Sequence, residues 1–316
     1  MHKTPVLFDH DGGVDDLLLL MLLLTMDNID LKGVCITPAD CFLSDATTST
    51  LKLLALFKRT DIPVAQGTLH GINPFHYDWR AQPKMVNALP TMLSLQADTQ
   101  LVSDLSAHDF MKHILEQAQE PVTVLMTGPC SNLAKVLKDA PELSNKVAKV
   151  IWMGGAVDVK GNVAIHNHDG SAEWNVYWDY LAARDLLNSG VDIDLVALNA
   201  TNCLPIDTAF LTELAQYRDN ALADLAGQFW ATTVASIPSY EFTYFLWDVM
   251  ATCHLGMPDS ALTLETLNLG ISIAEPNEGQ TFRDDNGSPV NVALSADRQK
   301  VLDYLFKQFT YSLATD

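Results

Sequence analysis

Four aspartates fall within eight positions of "DHDGGVDD" (residues 9–16), and the chain then runs directly into "LLLLMLLL" (17–24). Asp9, Asp11, Asp15 and Asp16 would repel one another if all were ionised in one place. Three chemistries use carboxylates spaced in this way. An EF-hand loop needs Gly at its sixth position and a Glu at its twelfth; counted from Asp9 those positions hold Val14 and Leu20, which excludes it. An aspartyl-phosphate phosphatase opens on a DxDG run in which the first Asp is nucleophile and the second an acid/base. Such enzymes then need Thr or Val after the Gly, a catalytic Lys and a later acidic pair, whereas Gly13 stands in the Thr place and no strand ends in that pair. The third chemistry is a hard-cation site. Gly12 and Gly13 let the backbone turn sharply, so that Asp11 at a strand end and Asp16 in a first helical turn converge. A Ca²⁺ ion takes six to eight oxygens, and its charge offsets the carboxylate repulsion. Helix capping accounts for Asp15 or Asp16 singly, because acidic groups meet the positive end of the helix dipole. It does not account for Asp9 and Asp11 at the end of a buried strand. The four aspartates read as a metal cup.

The elements that position this cup alternate between apolar strands and amphipathic helices. "PVLFD" (5–9) is a first strand and a helix follows from about Asp15. "IDLKGVCIT" (29–37), "IPVAQG" (62–67), "PVTVLMTG" (121–128), "KVIWMGG" (149–155) and "DIDLVALNAT" (192–201) are further strands. Helices are expected over 45–58 and near 103–118, and residues 68–100 read as a polar and aromatic loop-rich excursion. The last third carries "ETLNLGISIA", "GQTFRDD" and "PVNVALSA" as shorter strands and a closing helix from about Asp297. Continuous apolar strands separated by helices imply an α/β fold: an open, mostly parallel, Rossmann-like sheet covered by helices on both faces. With no repeat, low-complexity tract or linker, residues 1–316 read as a single domain. In such folds the ligand crevice lies at the carboxyl ends of the strands. The polar clusters "DHDGGVDD", "TPADC", "TGPCSN" and "MGG" all fall there.

Bulk composition narrows the function classes. The chain has 39 acidic and 19 basic residues, a net charge of −20, and six arginines with no basic run. Partners that need a basic face, nucleic acid and anionic membranes, are disfavoured. Five cysteines without a CxxC pair fit reduced thiols in a cytoplasmic protein better than a disulfide framework. The acidic residues within the first nine or so positions are wrong for a signal peptide, and the eight-residue run 17–24 is far short of the ~20 residues of a membrane span.

At this point the chain resembles the nucleoside hydrolases, whose opening signature is a DxDxGxDD-like run before an apolar helix. The similarity extends over almost the whole chain and is closest to the purine-preferring branch that acts on inosine, adenosine and guanosine. The stretches that carry it are "CITPADCF" (35–42), "NPFHYDWR" (73–80), "TGPCSN" (127–132), "MGGAVDVKGNV" (153–163), "DGSAEWNVYWD" (169–179), "LWDVMA" (246–251) and "EPNEGQT" (275–281). The resemblance implies hydrolysis of the N-glycosidic bond of a small-molecule nucleoside to free base and ribose, Ca²⁺ as cofactor, and a homodimer. By the same resemblance Asp11 and Asp16 would bind Ca²⁺ with the backbone carbonyl of Thr127 and with Asp248, and Asp11 would also be the general base. Ribose would be held by Asp15, Asn162, Glu173 and Asn175, with Asp248 near its 3′-hydroxyl and Trp174 lining the pocket. Trp79 and Trp247 would sandwich the purine, Asp40 would approach its nitrogen edge, and Asp9 would support the cup. These roles are chemically coherent: the transition state is oxocarbenium-like, carboxylates favour its positive charge, and Ca²⁺ needs a base beside its water.

The pyrimidine-tolerant branch carries a His immediately before the last metal Asp; here that position is Trp247. His166 and His168 sit in the loop "AIHNHDG" and are expected to face solvent, and His10 to face the other side of the sheet from its aspartate neighbours. Two departures from the branch stand out. Gly13 occupies a position where Asn is expected, and the loop 236–245 is unlike the usual lid apart from Tyr244, which remains a site candidate. Two other readings of the chain are a non-catalytic nucleoside- or ribose-binding protein on the same scaffold and a nucleoside phosphorylase. The first would be favoured if Asp11, Asp16, Asp248 or Asn175 were missing, and the second needs an Arg cluster for phosphate; neither condition is met.

Overall fold

A computed structural model describes residues 2–236 and 243–313 of the chain. Its centre is a nine-stranded sheet built from β1 (Thr4–His10), β2 (Ile29–Ile36), β3 (Val64–Gln66), β4 (Val122–Met126), β5 (Val147–Met153), β6 (Ile193–Val196), β7 (Leu262–Ile271), β8 (Thr281–Arg283) and β9 (Ser288–Ala296), in the order β3-β2-β1-β4-β5-β6-β9-β7-β8. β1 to β6 are parallel, β9 continues the parallel run beside β6, and β7 and β8 close that edge antiparallel. The chain leaves β1 toward β2 and β3, then returns to place β4 on β1's other side. The carboxyl ends of β1 and β4 therefore flank the point where strand order reverses, which is where open α/β sheets hold their ligands.

Every residue of β1 after Thr4 is buried, as are all five of β4. That explains their continuous apolar sequences: both faces are covered. One face packs against the helices Ala107–Gln117, Ser131–Asp139 and Tyr180–Leu187. The other packs against α1 (Val14–Leu24), in which ten of eleven residues are buried. A helix that is apolar all round belongs inside, and α1 lies against the Trp247–Gly256 and Ala221–Ser236 helices as well as the sheet. A third, smaller apolar cluster gathers Ala39, Phe75, Val163, Ala172, Trp174, Tyr177 and Trp178 at the ligand end.

The elements follow the sequence expectations with two differences. The run 192–201 is not one strand: β6 ends at Val196 and Leu198–Thr201 forms a helical turn. Both are buried, and hydrophobicity alone does not separate a buried turn from a buried strand. The excursion at 68–100 contains short helical pieces, Trp79–Ala81, Gln82–Asn87, Pro90–Ser94 and Thr99–Leu101. Pro83 and Pro90 sit in the first turn of their helices, where a missing N–H costs nothing. The five cysteines are unbridged, and among the described residues no helix is long and apolar enough to cross a membrane.

Because α1 carries the aspartates on its first turn and the core on the rest, stability and site geometry are separable along its length. Leu19→Ala, at a fully buried position, is expected to cost about 2–5 kcal/mol in a denaturant titration. Any activity of the folded fraction should be unchanged.

Candidate active site

The last turn of β1 sorts its side chains to opposite sides. Asp9 is buried, and its carboxylate accepts hydrogen bonds from Thr37 Oγ1 at 3.1 Å and Asn132 Nδ2 at 3.1 and 3.2 Å. Burial raises its pKa to about 7 against the pull of those donors. His10 turns the other way, stacks on Phe8 with ring centroids 4.9 Å apart, and meets Thr50 Oγ1 at 3.3 Å. Its Nδ1 accepts the Gly12 N–H at 3.1 Å, and burial lowers its pKa to about 3, so the ring is neutral. His10 faces away from its aspartate neighbours as expected, and Asp9 is engaged with Thr37 and Asn132.

The turn itself needs glycine. Gly12 has φ of +83°, and a Cβ there would stand 2.6 Å from Cys41 Cβ. Gly13 then donates its N–H to Asp16 Oδ2 at 2.8 Å, starting α1. Gly128, after β4, is equally constrained, because a Cβ would meet Asp11 Cβ at 2.8 Å.

These turns bring Asp15 and Asp16 of α1 together with Asp248, in the first turn of the Trp247–Gly256 helix; one oxygen from each lies within 4.8 Å of the others. The Tyr244 hydroxyl donates to Asp15 Oδ1 at 2.7 Å and the Thr127 hydroxyl donates to Asp16. Asp11 stands outside that trio but against Asp16, and its Oδ2 accepts the Asp40 N–H at 3.3 Å. The tight trio thus includes Asp15, which the resemblance assigned to ribose.

Burial, then the neighbouring carboxylates, holds the pKa of Asp11, Asp40 and Asp248 well above the usual range; burial raises Asp15 as well, and Asp16 rises to about 7. Among the described residues no Lys or Arg pairs with Asp11, Asp15, Asp16 or Asp248, and the one basic charge acting nearby is Arg80, on Asp40. Among the described residues the clustered ligand atoms are carboxylate oxygens, with no thiolate or imidazole among them. That set fits a hard divalent cation, whose charge would compensate the cup.

Opposite the cup, Glu173 caps the short helix Trp174–Trp178, accepting the N–H groups of Asn175, Val176 and Gly155. Burial raises its pKa to about 7 despite these donors. Asn175 Nδ2 donates to the Thr127 carbonyl at 2.8 Å and to the Met153 carbonyl at 3.1 Å, tying this wall to β4 and β5. Asn162 Oδ1 accepts the Trp174 N–H at 3.1 Å. Two aromatic walls complete the cleft. Trp79 meets Trp174 edge-on at 5.3 Å and His76 at 4.5 Å, while Trp247 lies 4.7 Å from Tyr244 and 5.8 Å from Phe245.

Every residue expected at the site lines this one cleft except Asp16, which is fully buried within the cup. The cleft encloses about 560 Å³ including its open mouth. Sequence reasoning missed Phe75, Gln82 and Met153 in its lining. Gln82 had a usable signal, since it follows Trp79 by three residues, one helical turn. One expectation is corrected. His166 is exposed, but the His168 side chain is fully buried. Its Nδ1 accepts the Gly170 N–H at 2.9 Å, Nε2 meets the Glu278 carbonyl at 3.0 Å, and the ring packs on Tyr177. The loop folds back on residues a hundred positions away, which local polarity does not reveal. Of the segment 236–245, residues 237–242 lie outside the described residues; Tyr244 and Phe245 are placed as above.

Residues 6–303 match the family model for inosine-uridine preferring nucleoside hydrolase. The solved inosine-uridine preferring nucleoside hydrolase of Bacillus anthracis is 35% identical with a TM-score of 0.89, covering 98% of this chain and 99% of that one. A purine-preferring ribonucleoside hydrolase from Gardnerella vaginalis shares the fold, with a TM-score of 0.81 at 22% identity over 97% of this chain and 98% of that one. Among curated relatives, the pyrimidine-specific ribonucleoside hydrolase RihA of Salmonella paratyphi B is 26% identical over 337 residues, 97% of this chain and 98% of that protein.

The raised carboxyl groups set a pH dependence with a definite sign. Asp9 and Asp16 rise from 3.8 to about 7 and Glu173 from 4.5 to about 7. A carboxyl whose folded pKa is raised favours folding while protonated, so that contribution is whole near pH 4 and lost as pH passes 7. In chelator, thermal unfolding is therefore expected at a higher temperature at pH 5 than at pH 8. A divalent cation that binds the cup, supplied at a hundred times its dissociation constant, should restore about 2.7 kcal/mol at pH 8.

Proposed function

The chain belongs to the nucleoside hydrolase family, enzymes that split ribonucleosides at the N-glycosidic bond, and from that premise we propose that it is a Ca²⁺-dependent hydrolase preferring purine nucleosides, which it converts to free base and ribose. The observation that carries the reading is the pairing, in one cleft, of a buried carboxylate cup lacking basic partners among the described residues with the tryptophan-bearing walls at Trp79 and Trp247.

Asp11, Asp16, the Thr127 carbonyl and Asp248 would hold the ion. Bound there, Ca²⁺ would neutralise the cup and make a water and the ribose hydroxyls more acidic. The remaining work falls to the chain. Asp11 accepts the proton of the attacking water at its carboxylate. Asp15, Asn162, Glu173 and Asn175 orient the ribose, and the negative charge around it favours the oxocarbenium-like transition state. Trp79 and Trp247 stack on the base and exclude water from it.

Asp40 is suited to the base rather than the sugar. Its Oδ1 is buried without a hydrogen-bond partner and burial keeps its pKa high, so a protonated Asp40 can donate to a nitrogen of the departing purine. Purine preference is further supported by Trp247 standing directly before Asp248, where the pyrimidine-tolerant branch has the His expected to protonate the leaving group. The uridine and pyrimidine names carried by relatives make the ratio of inosine to uridine turnover the discriminating number.

Incubation with inosine should yield hypoxanthine and free ribose, with kcat/KM above that for uridine and activity lost in chelator. Ribose 1-phosphate as product, or uridine as the better substrate, would overturn the assignment. Asp11→Asn should lower kcat far more than it weakens binding of a ribose-like inhibitor at saturating Ca²⁺.

The tryptophans separate base chemistry from sugar chemistry. Trp79→Ala and Trp247→Ala should slow inosine hydrolysis by roughly 5- to 150-fold, one stacking face expressed in the transition state. They should slow p-nitrophenyl riboside, whose leaving group departs unaided, much less, whereas Asp16→Asn should damage both substrates alike.

A further inference from the structure

Gln82, like Asn162, lines the cleft with only its carboxamide oxygen engaged among the described residues. It is 6% exposed and lines the cleft, yet nothing in the aspartate cup or the ribose wall uses it. Its Oε1 accepts the N–H of Val14, the first residue of α1, at 2.9 Å. A backbone N–H can only donate, so this bond fixes the orientation of the amide: oxygen toward α1, NH₂ away from it. Among the described residues Nε2 has no hydrogen-bond acceptor of its own. Several other cleft-lining donors are committed: the Tyr244 hydroxyl to Asp15, the Thr127 hydroxyl to Asp16, Asn175 Nδ2 to two carbonyls, and the Trp174 indole N–H to the Asn162 carbonyl.

The neighbourhood of Gln82 points to the base rather than the sugar. Gln82 follows Trp79 by one helical turn, on the same face of the Trp79–Ala81 and Gln82–Asn87 segment. It also adjoins Asp40 across Gly13: a Cβ on Gly13 would lie 3.6 Å from Asp40 Oδ2, and the next peptide N–H is the one Gln82 holds. The absence of a side chain at Gly13 leaves this corner open. Ribose hydroxyls facing the cup find a surplus of carboxylate acceptors. A nucleobase edge, by contrast, offers ring nitrogens and carbonyl oxygens that need donors.

Resting on the nucleoside-hydrolase reading above, we propose that Gln82 is a substrate-binding residue that donates its Nε2–H to an acceptor on the edge of the nucleobase, next to Asp40, and so contributes to the choice of base. α1 serves as its anchor: the Val14 N–H that would otherwise be one of the unsatisfied donors of the helix start holds the carboxamide in a single orientation. The preorganised donor rewards bases with an acceptor at that edge and penalises those presenting a donor or a C–H there.

The test compares Gln82→Glu and Gln82→Met with the wild type on inosine and on p-nitrophenyl riboside, which lacks the base edge. Gln82→Glu, assayed at a pH where its carboxyl is ionised, keeps an oxygen for Val14 and removes the donor; Gln82→Met removes both. Both variants should lose about 10-fold or more in kcat/KM on inosine, the scale of one hydrogen bond whose partner is left unsatisfied. On p-nitrophenyl riboside they should stay within about 3-fold of wild type, since no base-edge bond is there to lose. Inosine affinity, read from quenching of the site tryptophans, should fall in parallel while ribose affinity holds. Equal losses on both substrates would mean that Gln82 only steadies the start of α1, and no loss on inosine would mean it touches nothing; either overturns the proposal. If the wild type neither cleaves nor binds any nucleoside, the hydrolase reading itself has failed, a result distinguishable from wild-type activity with an indifferent Gln82.

Discussion

Uncompensated negative charge in the interior is the constraint around which the ligand end of the molecule is organised. Asp11, Asp15, Asp16 and Asp248 are each nearly inaccessible to water, and no basic side chain among the described residues neutralises them. Removing a carboxylate from water without a partner is expensive enough that the group takes up a proton instead, which is the direction in which every one of these groups is displaced. A protein can keep such a cluster only if its surroundings fix the geometry regardless of protonation. Here the fixing is done by the reversal of strand order between β1 and β4, by glycines at Gly12 and Gly128 that leave room for nothing else, and by the apolar α1.

The same constraint explains the division of labour among the neighbouring polar groups. Tyr244 and Thr127 donate hydroxyls to the cup, and Asn132 and Thr37 donate to Asp9 behind it. Glu173 spends its oxygens on three backbone N–H groups and so fixes its own wall of the cleft. Each contact satisfies a buried group that would otherwise cost stability, and each also limits where an incoming ligand can find a free donor or acceptor. Among the described residues, the positions left without a partner include Asp40 Oδ1 and the amide nitrogens of Gln82 and Asn162.

Much of this was legible in the chain. The strands are continuous apolar runs because both faces of the sheet are covered, and the polar clusters follow them because only the carboxyl ends open to a ligand. In "DHDGGVDD" the clustering of Asp15 and Asp16 was legible, whereas Asp9, counted into the cup on the sequence, is held behind it by Thr37 and Asn132. What stayed hidden depends on contacts distant in sequence. The burial of His168 requires Glu278, the bond of Gln82 requires Val14, and the helical turn at Leu198–Thr201 is as apolar as the strand before it. Periodicity reports which residues avoid water, not which backbone conformation or partner they avoid it with.

The central claim, that the buried aspartates form a cation site whose charge is held as protons until the ion arrives, is tested most directly by calorimetric titration with Ca²⁺ in buffers of different ionisation enthalpy. Carboxyl groups raised to near neutrality must give up protons to coordinate the ion. Binding at pH 6.5 should therefore release on the order of one proton or more per ion, with the release diminishing as pH rises. Failure to bind Ca²⁺, or a binding heat that does not depend on the buffer at pH 6.5, would contradict the account.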